Sequence, residues 1–149
     1  MTDLKTRITE DVKIAMKAGE KERVSLLRML TAELKQREVV EQIVLTDAAV
    51  IAAIEKMLKQ RKDSEQQFRA AGRTELADKE AAEIAGLMTY LPAQLTDTEL
   101  DVILAGVIAE TGAAGPKDMG KVMAAIKPLV AGKTDMGALS AKIKAKLGL

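Results

Sequence analysis

The sequence predicts an all-α protein, and three observations carry that prediction. Ala, Leu, Lys, Glu, Met and Arg dominate the chain, and all are favourable in helices. Apolar residues recur at spacings of three and four along nearly its whole length, the period of one buried helix face. Glycines fall just past these runs, at Gly19, Gly72, Gly112 and Gly132, where a helix commonly ends in a left-handed residue. The punctuation marks out about seven helices, four before Pro92 and three after it.

The first helix is expected over residues 2–18, with Leu4, Ile8, Val12 and Ala15 facing inward. The second runs from about residue 20 into the late thirties on Val24, Leu27, Leu30 and Leu34. It is expected to fray or end among Val39, Val40, Ile43 and Val44, because β-branched side chains disfavour helix. Thr46 then caps a third helix reaching Ala71, with Asp47 at the positive end of its dipole and Leu45 stapling onto Val50. Its inner seam starts apolar at Val50, Ile54, Met57 and Leu58, turns polar at Arg61 and Glu65, and recovers at Phe68. Arg61 and Glu65 either form an internal ion pair or mark where the helix meets a partner. A fourth helix over residues 74–91 packs through Ala77, Ile84, Leu87, Met88 and Leu91, and Pro92 closes it.

Pro92 is the expected domain boundary, giving segments 1–91 and 92–149, with a short mobile hinge at Pro92, Ala93 and Gln94. Just beyond it, Thr96 and Glu99 form a capping box, with Leu95 and Leu100 placed as its hydrophobic staple. The fifth helix uses Leu100, Ile103, Leu104, Val107 and Ile108 and stops at Gly112. The sixth and seventh helices come from an internal repeat. Residues 115–127 overlay residues 132–144 without a gap, sharing Gly, Asp-Met-Gly, Ala and Ile-Lys. Met119, Val122, Met123 and Ile126 face inward from one copy, and Met136, Leu139, Ile143 and Leu147 from the other. Pro128 should end or bend the sixth helix. Asp118 and Asp135 read as helix N-caps rather than catalytic acids.

Composition excludes several function classes. There is no Cys and no His, which removes disulfides, thiol nucleophiles, Cys/His zinc sites and imidazole acid–base chemistry. Phe68 and Tyr90 are the only aromatic residues, so bases cannot be stacked on aromatic platforms. The N-terminus carries no signal-like apolar run and no stretch reaches bilayer length, which makes a cytoplasmic location and no membrane association the expectation. No nucleophile–base pair, cofactor loop or metal cluster is visible, and neither a catalytic residue nor a cofactor is expected.

Charge is where the chain becomes specific. Its net charge is +1, yet the segment after Gly115 holds Lys117, Lys121, Lys127, Lys133, Lys142, Lys144 and Lys146 against Asp118 and Asp135, an excess of five positive charges. Lysines beside free backbone N–H groups suit phosphate oxygens, and Gly120 and Gly137 would let a backbone approach closely. The residue pattern alone favours a plainer reading, in which the lysines are a solvated face and the glycines allow close helix packing. A second basic stripe, Lys59, Lys62, Arg69 and Arg73, lies along the third helix with Arg61 on its seam. Here too a solvated, salt-bridged face is favoured over a partner surface.

Four ordered motifs add a resemblance. Residues 59–64 (Lys-Gln-Arg-Lys-Asp-Ser), 68–73 (Phe-Arg-Ala-Ala-Gly-Arg), 90–95 (Tyr-Leu-Pro-Ala-Gln-Leu) and 118–123 (Asp-Met-Gly-Lys-Val-Met) closely resemble the YqeY-like proteins over essentially the whole chain. That family is similar to the C-terminal helical and tail regions of the B subunit of the glutamine-dependent aspartyl/glutamyl-tRNA amidotransferase, whose tail helps hold tRNA near its elbow. The resemblance implies a four-helix-like N-terminal bundle and a small three-helix tail domain. It also implies that the segments starting at Lys117 and Lys133 lie near RNA backbone, and it moves RNA binding ahead of the plainer reading. The amidotransferase's catalytic domain and glutaminase partner have no room in this length, so a carbon–nitrogen ligase label with glutamine as amido donor would be inherited from the larger subunit. The expectation is a non-catalytic accessory protein that binds tRNA, or that joins an amidotransferase or aminoacyl-tRNA synthetase complex. A helical protein–protein adaptor without RNA binding is the alternative, and an autonomous enzyme the third reading.

Overall fold

The computed structural model describes residues 3–148. Those residues form seven α-helices and one 3-10 turn, with no strand among them. The helices are α1 (Leu4–Ala18), α2 (Lys21–Glu41), α3 (Asp47–Ala70), α4 (Thr74–Met88), α5 (Asp97–Thr111), α6 (Met119–Val130) and α7 (Met136–Lys146), with the turn at Pro116–Asp118 before α6. Thr2, where the first helix was expected to begin, lies outside the described residues. The chain divides into two compact units, Met1–Leu91 and Pro92–Leu149.

The first unit holds α1–α4 around a core that includes Ile8, Leu27, Leu30, Leu34, Val50, Ile54 and Leu87. Local signals set the helix ends. The Asp3 carboxylate accepts the Thr6 N–H at 2.7 Å, and Asp47 Oδ1 accepts the Leu4 N–H at 2.9 Å, tying the start of α1 to the start of α3. At the other end of α1, Gly19 is left-handed (φ 71°), and the Glu20 and Gly19 N–H groups return to the Ala15 and Met16 carbonyls. The second helix runs to Glu41 and so ends inside the β-branched stretch, between Val40 and Ile43, as expected. Leu26, Leu27, Leu30 and Leu34 anchor its buried side, while Val39 and Val40 in its last turn are exposed. It then stops at Gln42, a left-handed non-glycine residue (φ 53°). The fourth helix ends at Met88, short of Leu91, because the Tyr90 and Leu91 N–H groups turn back to the Leu87 and Met88 carbonyls.

Arg61 corrects the ion-pair expectation. It does not pair with Glu65. Its Nε donates to Glu83 of α4 at 2.9 Å, in a pair with both side chains largely buried, while Glu65 accepts from Arg69 at 3.0 Å. The helix seam is polar at this level because α4 presents a carboxylate to it. The fourth helix also packs closely on α2 at Gly86, where an added Cβ would sit 2.7 Å from Leu26 Cδ2.

The second unit packs α5, α6 and α7 around Leu100, Leu104, Val107, Val122, Ile126, Val130, Leu139, Ile143 and Leu147. The Thr96–Glu99 capping box is complete, with both reciprocal bonds formed, and Gly112 (φ 66°) ends α5. The segment expected to act as a hinge is tied into this unit: Gln94 Nε2 donates to the Gly132 carbonyl at 2.7 Å, and the Leu95 N–H to the Lys133 carbonyl at 2.8 Å. The sixth helix continues past Pro128 and ends two residues on, at Val130.

Candidate functional site

The internal repeat survives folding as a packing register. Val122, Ile126 and Val130 of α6 correspond to Leu139, Ile143 and Leu147 of the second copy, and all six are buried. With the apolar stripes turned inward, the residues between them turn outward. Lys117, Lys121, Lys127, Lys144 and Lys146 are exposed, and Lys133 and Lys142 are half-buried. Each copy carries a lysine directly after its buried isoleucine, Lys127 after Ile126 and Lys144 after Ile143.

The two aspartates of the repeat do different work. Asp135 is the N-cap of α7 and accepts the Gly137 N–H at 3.2 Å. Asp118 does not cap forward, which corrects the equal roles expected for them. Pro116 starts a 3-10 turn ahead of α6, so the Asp118 carboxylate reaches back to the Ala114 and Gly115 N–H groups at 2.9 and 3.3 Å. These two bonds hold its carboxyl below the usual range, and neighbouring Lys121 and Lys117 lower it further. Both aspartates close backbone turns and neither is placed as an acid–base group.

Glycine packing within the unit also differs from the plainer reading. A Cβ at Gly120 would meet nothing within 4 Å, and one at Gly137 would meet only the Asp135 carboxylate. Neither glycine is needed for helix contact, and both are exposed.

The seven tail lysines are not equivalent. Among the described residues, Lys142 alone of the seven makes an ion pair, with Nζ 2.8 Å from Asp101 Oδ1 and 3.7 Å from Asp97 Oδ1. Asp97 and Asp101 lie one turn apart on α5. Their i,i+4 spacing is visible in the sequence, but their target on another helix is not.

The basic stripe of the first unit is more heavily paired. Arg69 Nη2 donates to Glu65 at 3.0 Å and to Asp78 at 3.3 Å, and Arg61 is held by Glu83. Lys59 and Arg73 are exposed and Lys62 half-buried. The same unit contains a polar cluster that sequence reading missed. Tyr90 donates its hydroxyl to Asp11 Oδ2 at 2.6 Å, Arg7 lies 5.1 Å above its ring, and Arg23 approaches Asp11 at 3.9 Å. Burial first, and then the bond to Asp11, pushes the Tyr90 phenol up to about 12. A proton held that firmly makes Tyr90 a latch between α1 and the end of α4, not an acid catalyst at neutral pH. Its signal in the sequence was being the chain's single tyrosine. Among the described residues no helix is long and apolar enough to cross a membrane.

Comparison with known proteins places these features in a family. The model of the family described as "Yqey-like protein" matches residues 5–147. An uncharacterized protein of Schizosaccharomyces pombe is 35% identical over 78 residues, 52% of this chain, and the match spans 63% of that protein's length. The protein "Altered inheritance of mitochondria protein 41, mitochondrial" of Pyrenophora tritici-repentis is 27% identical over 146 residues, 95% of this chain and 80% of that protein.

Proposed function

The chain belongs to the YqeY-like family, and from that premise we propose that it is a non-catalytic tRNA-binding protein whose second unit is a tail domain of the amidotransferase kind. The observation that carries the reading is the set of lysines after Gly115 without an ion pair among the described residues: Lys117, Lys121, Lys127, Lys144 and Lys146, all exposed, and the half-buried Lys133. Lys142 stands apart from that set because carboxylates already hold its ammonium. Long ammonium groups without an ion pair suit phosphate oxygens, and one of them, Lys127 with its counterpart Lys144, recurs in both copies of the repeat. Gly120 and Gly137, exposed and without a packing role, leave room for that backbone. With no aromatic side chain in this unit, recognition rests on phosphate position and the elbow shape of tRNA rather than on base stacking.

Binding of this kind weakens steeply with salt, with a slope near 0.7–0.9 per phosphate contacted. Filter binding of the full chain to total tRNA across a salt series is the test. Changing Lys117, Lys121, Lys127 and Lys144 to Ala should weaken binding by about 100-fold and flatten the slope by about three. No binding by the native chain at low salt, or equal binding by the variant, ends this reading. An amidotransferase or aminoacyl-tRNA synthetase complex that handles the same tRNA is the protein partner that fits it, and the cytoplasm the compartment. Fractionation of the native host tests the compartment, since the Pyrenophora relative is named as mitochondrial.

The adaptor reading has its own observation. Val39, Val40, Ile43 and Val44 are exposed to between 43% and 87% within six residues, a density of apolar side chains unusual for a solvated surface. A defined protein complex that survives nuclease and is lost in Val40→Asp/Val44→Asp, together with absent tRNA binding, would favour it.

A further inference from the structure

The fifth helix carries acids only, Asp97, Glu99, Asp101 and Glu110, in the same unit as the lysine-rich repeat. Asp97 and Asp101 share one face, and both lie against Lys142, at 3.7 and 2.8 Å. Lys146, one turn further along α7, also acts on Asp101 by its charge. The hydrogen bond between them holds the Asp101 carboxyl below its usual range and raises Lys142, so both stay charged around neutral pH. Among the seven lysines after Gly115, Lys142 is set apart by facing two carboxylates, which ties it to α5 rather than to the solvent-facing lysines.

We propose that Asp97 and Asp101 are specificity-determining residues: they occupy Lys142 in place of a nucleic-acid phosphate and close the α5 side of the second unit to nucleic acid. The proposal rests on the tRNA-binding reading and adds a boundary to it. A phosphate brought to Lys142 meets two carboxylates and must displace them, so the contact yields little net attraction. A tRNA whose shape fits the outward face avoids that side. A duplex that reaches across to the α5 side meets the two carboxylates, which disfavour it by repulsion.

The experiment compares tRNA with duplex DNA of similar phosphate number, by filter binding to the full chain over a salt series. For Asp97→Asn/Asp101→Asn, affinity for tRNA should rise about 5-fold, and affinity for DNA by more, so the preference for tRNA narrows. The salt slope should steepen by about one phosphate's share. Asp101→Asn alone, which leaves the first helical residue of α5 unchanged, should move both readouts the same way by less. Lys142→Ala should change tRNA affinity by under about 2-fold in the native background and weaken it about 5-fold in the Asn/Asn background, a coupling that a merely structural lysine would not show. Far-UV circular dichroism confirms that each variant is folded. An unchanged slope and preference in folded Asn variants, or full loss from Lys142→Ala alone, overturns the boundary while leaving tRNA binding standing. Failure of the native chain to bind tRNA at low salt overturns both.

Discussion

The two units meet the same requirement, a small helical core, with opposite treatment of charge. In the first, four basic side chains are drawn into pairs that link helices: Lys5 with Glu38, Arg23 with Asp11, Arg61 with Glu83, and Arg69 with Asp78. In the second, Lys142 is the single lysine so paired among the described residues; of the other six, Lys133 is half-buried and the rest are exposed. Charges that already have protein partners are poorly available to a ligand. The paired charges of the first unit serve its cohesion, and the lysines of the second without an ion pair are the ones the proposed RNA contact would use, although the chain as a whole is nearly neutral.

The second unit has under 60 residues and correspondingly little core to lose. Leu104→Ala, at a fully buried site, should cost about 2–5 kcal/mol, enough to unfold a unit of this size. Tyr90 is the only tyrosine, there is no tryptophan, and it lies in the first unit. The variant should therefore lose helical circular dichroism while Tyr90 fluorescence keeps its native value. Simultaneous loss of both signals would mean that the units do not differ in this way.

Gly86→Ala should destabilise the first unit by about 1–3 kcal/mol in urea titration, since the new methyl must displace Leu26 from a close α2–α4 contact. A smaller effect, about 1–2 kcal/mol, is expected for Tyr90→Phe, which leaves Asp11 without its hydroxyl donor. The same bond gives a pH signature. The phenol ionises at about 12 when folded, against 10.0 ordinarily, so folding favours its protonated form. That contribution is complete below pH 10 and lost as pH rises towards 12. The stability gap between native chain and Tyr90→Phe, followed by urea titration, should narrow over that window. The smallest expected change has the opposite sign. Gly106→Ala places a methyl in open space within α5 and should stabilise the second unit by about 0.5–1 kcal/mol, read from its thermal midpoint.

Much of the helix layout was legible because it rests on contacts a few residues long. Thr46 and Thr96 cap the helices they were expected to cap, and Gly19, Gly72, Gly112 and Gly132 all take positive φ. The inward residues of α5, α6 and α7 include all those the three-and-four spacing picked out, and Val130, which lies beyond Pro128, joins them. The end of α2 at Glu41 likewise falls inside the β-branched stretch that was expected to stop it. Asp118 stands at the N-cap position of α6 as expected, but its side chain turns back to Ala114 and Gly115, because Pro116 starts a 3-10 turn there and its counterpart Lys133 does not.

Sequence alone therefore determined the helical class, the caps, the buried stripes and the positive excess after Gly115, since each depends on neighbours in the chain or on counting. It could not say which charges are free. Lys142 meets Asp101 across 41 residues, Arg61 meets Glu83 across 22, and Tyr90 meets Asp11 across 79. A side chain's partner is whatever the packed helices bring within hydrogen-bond distance, and that distance exists only in the tertiary structure.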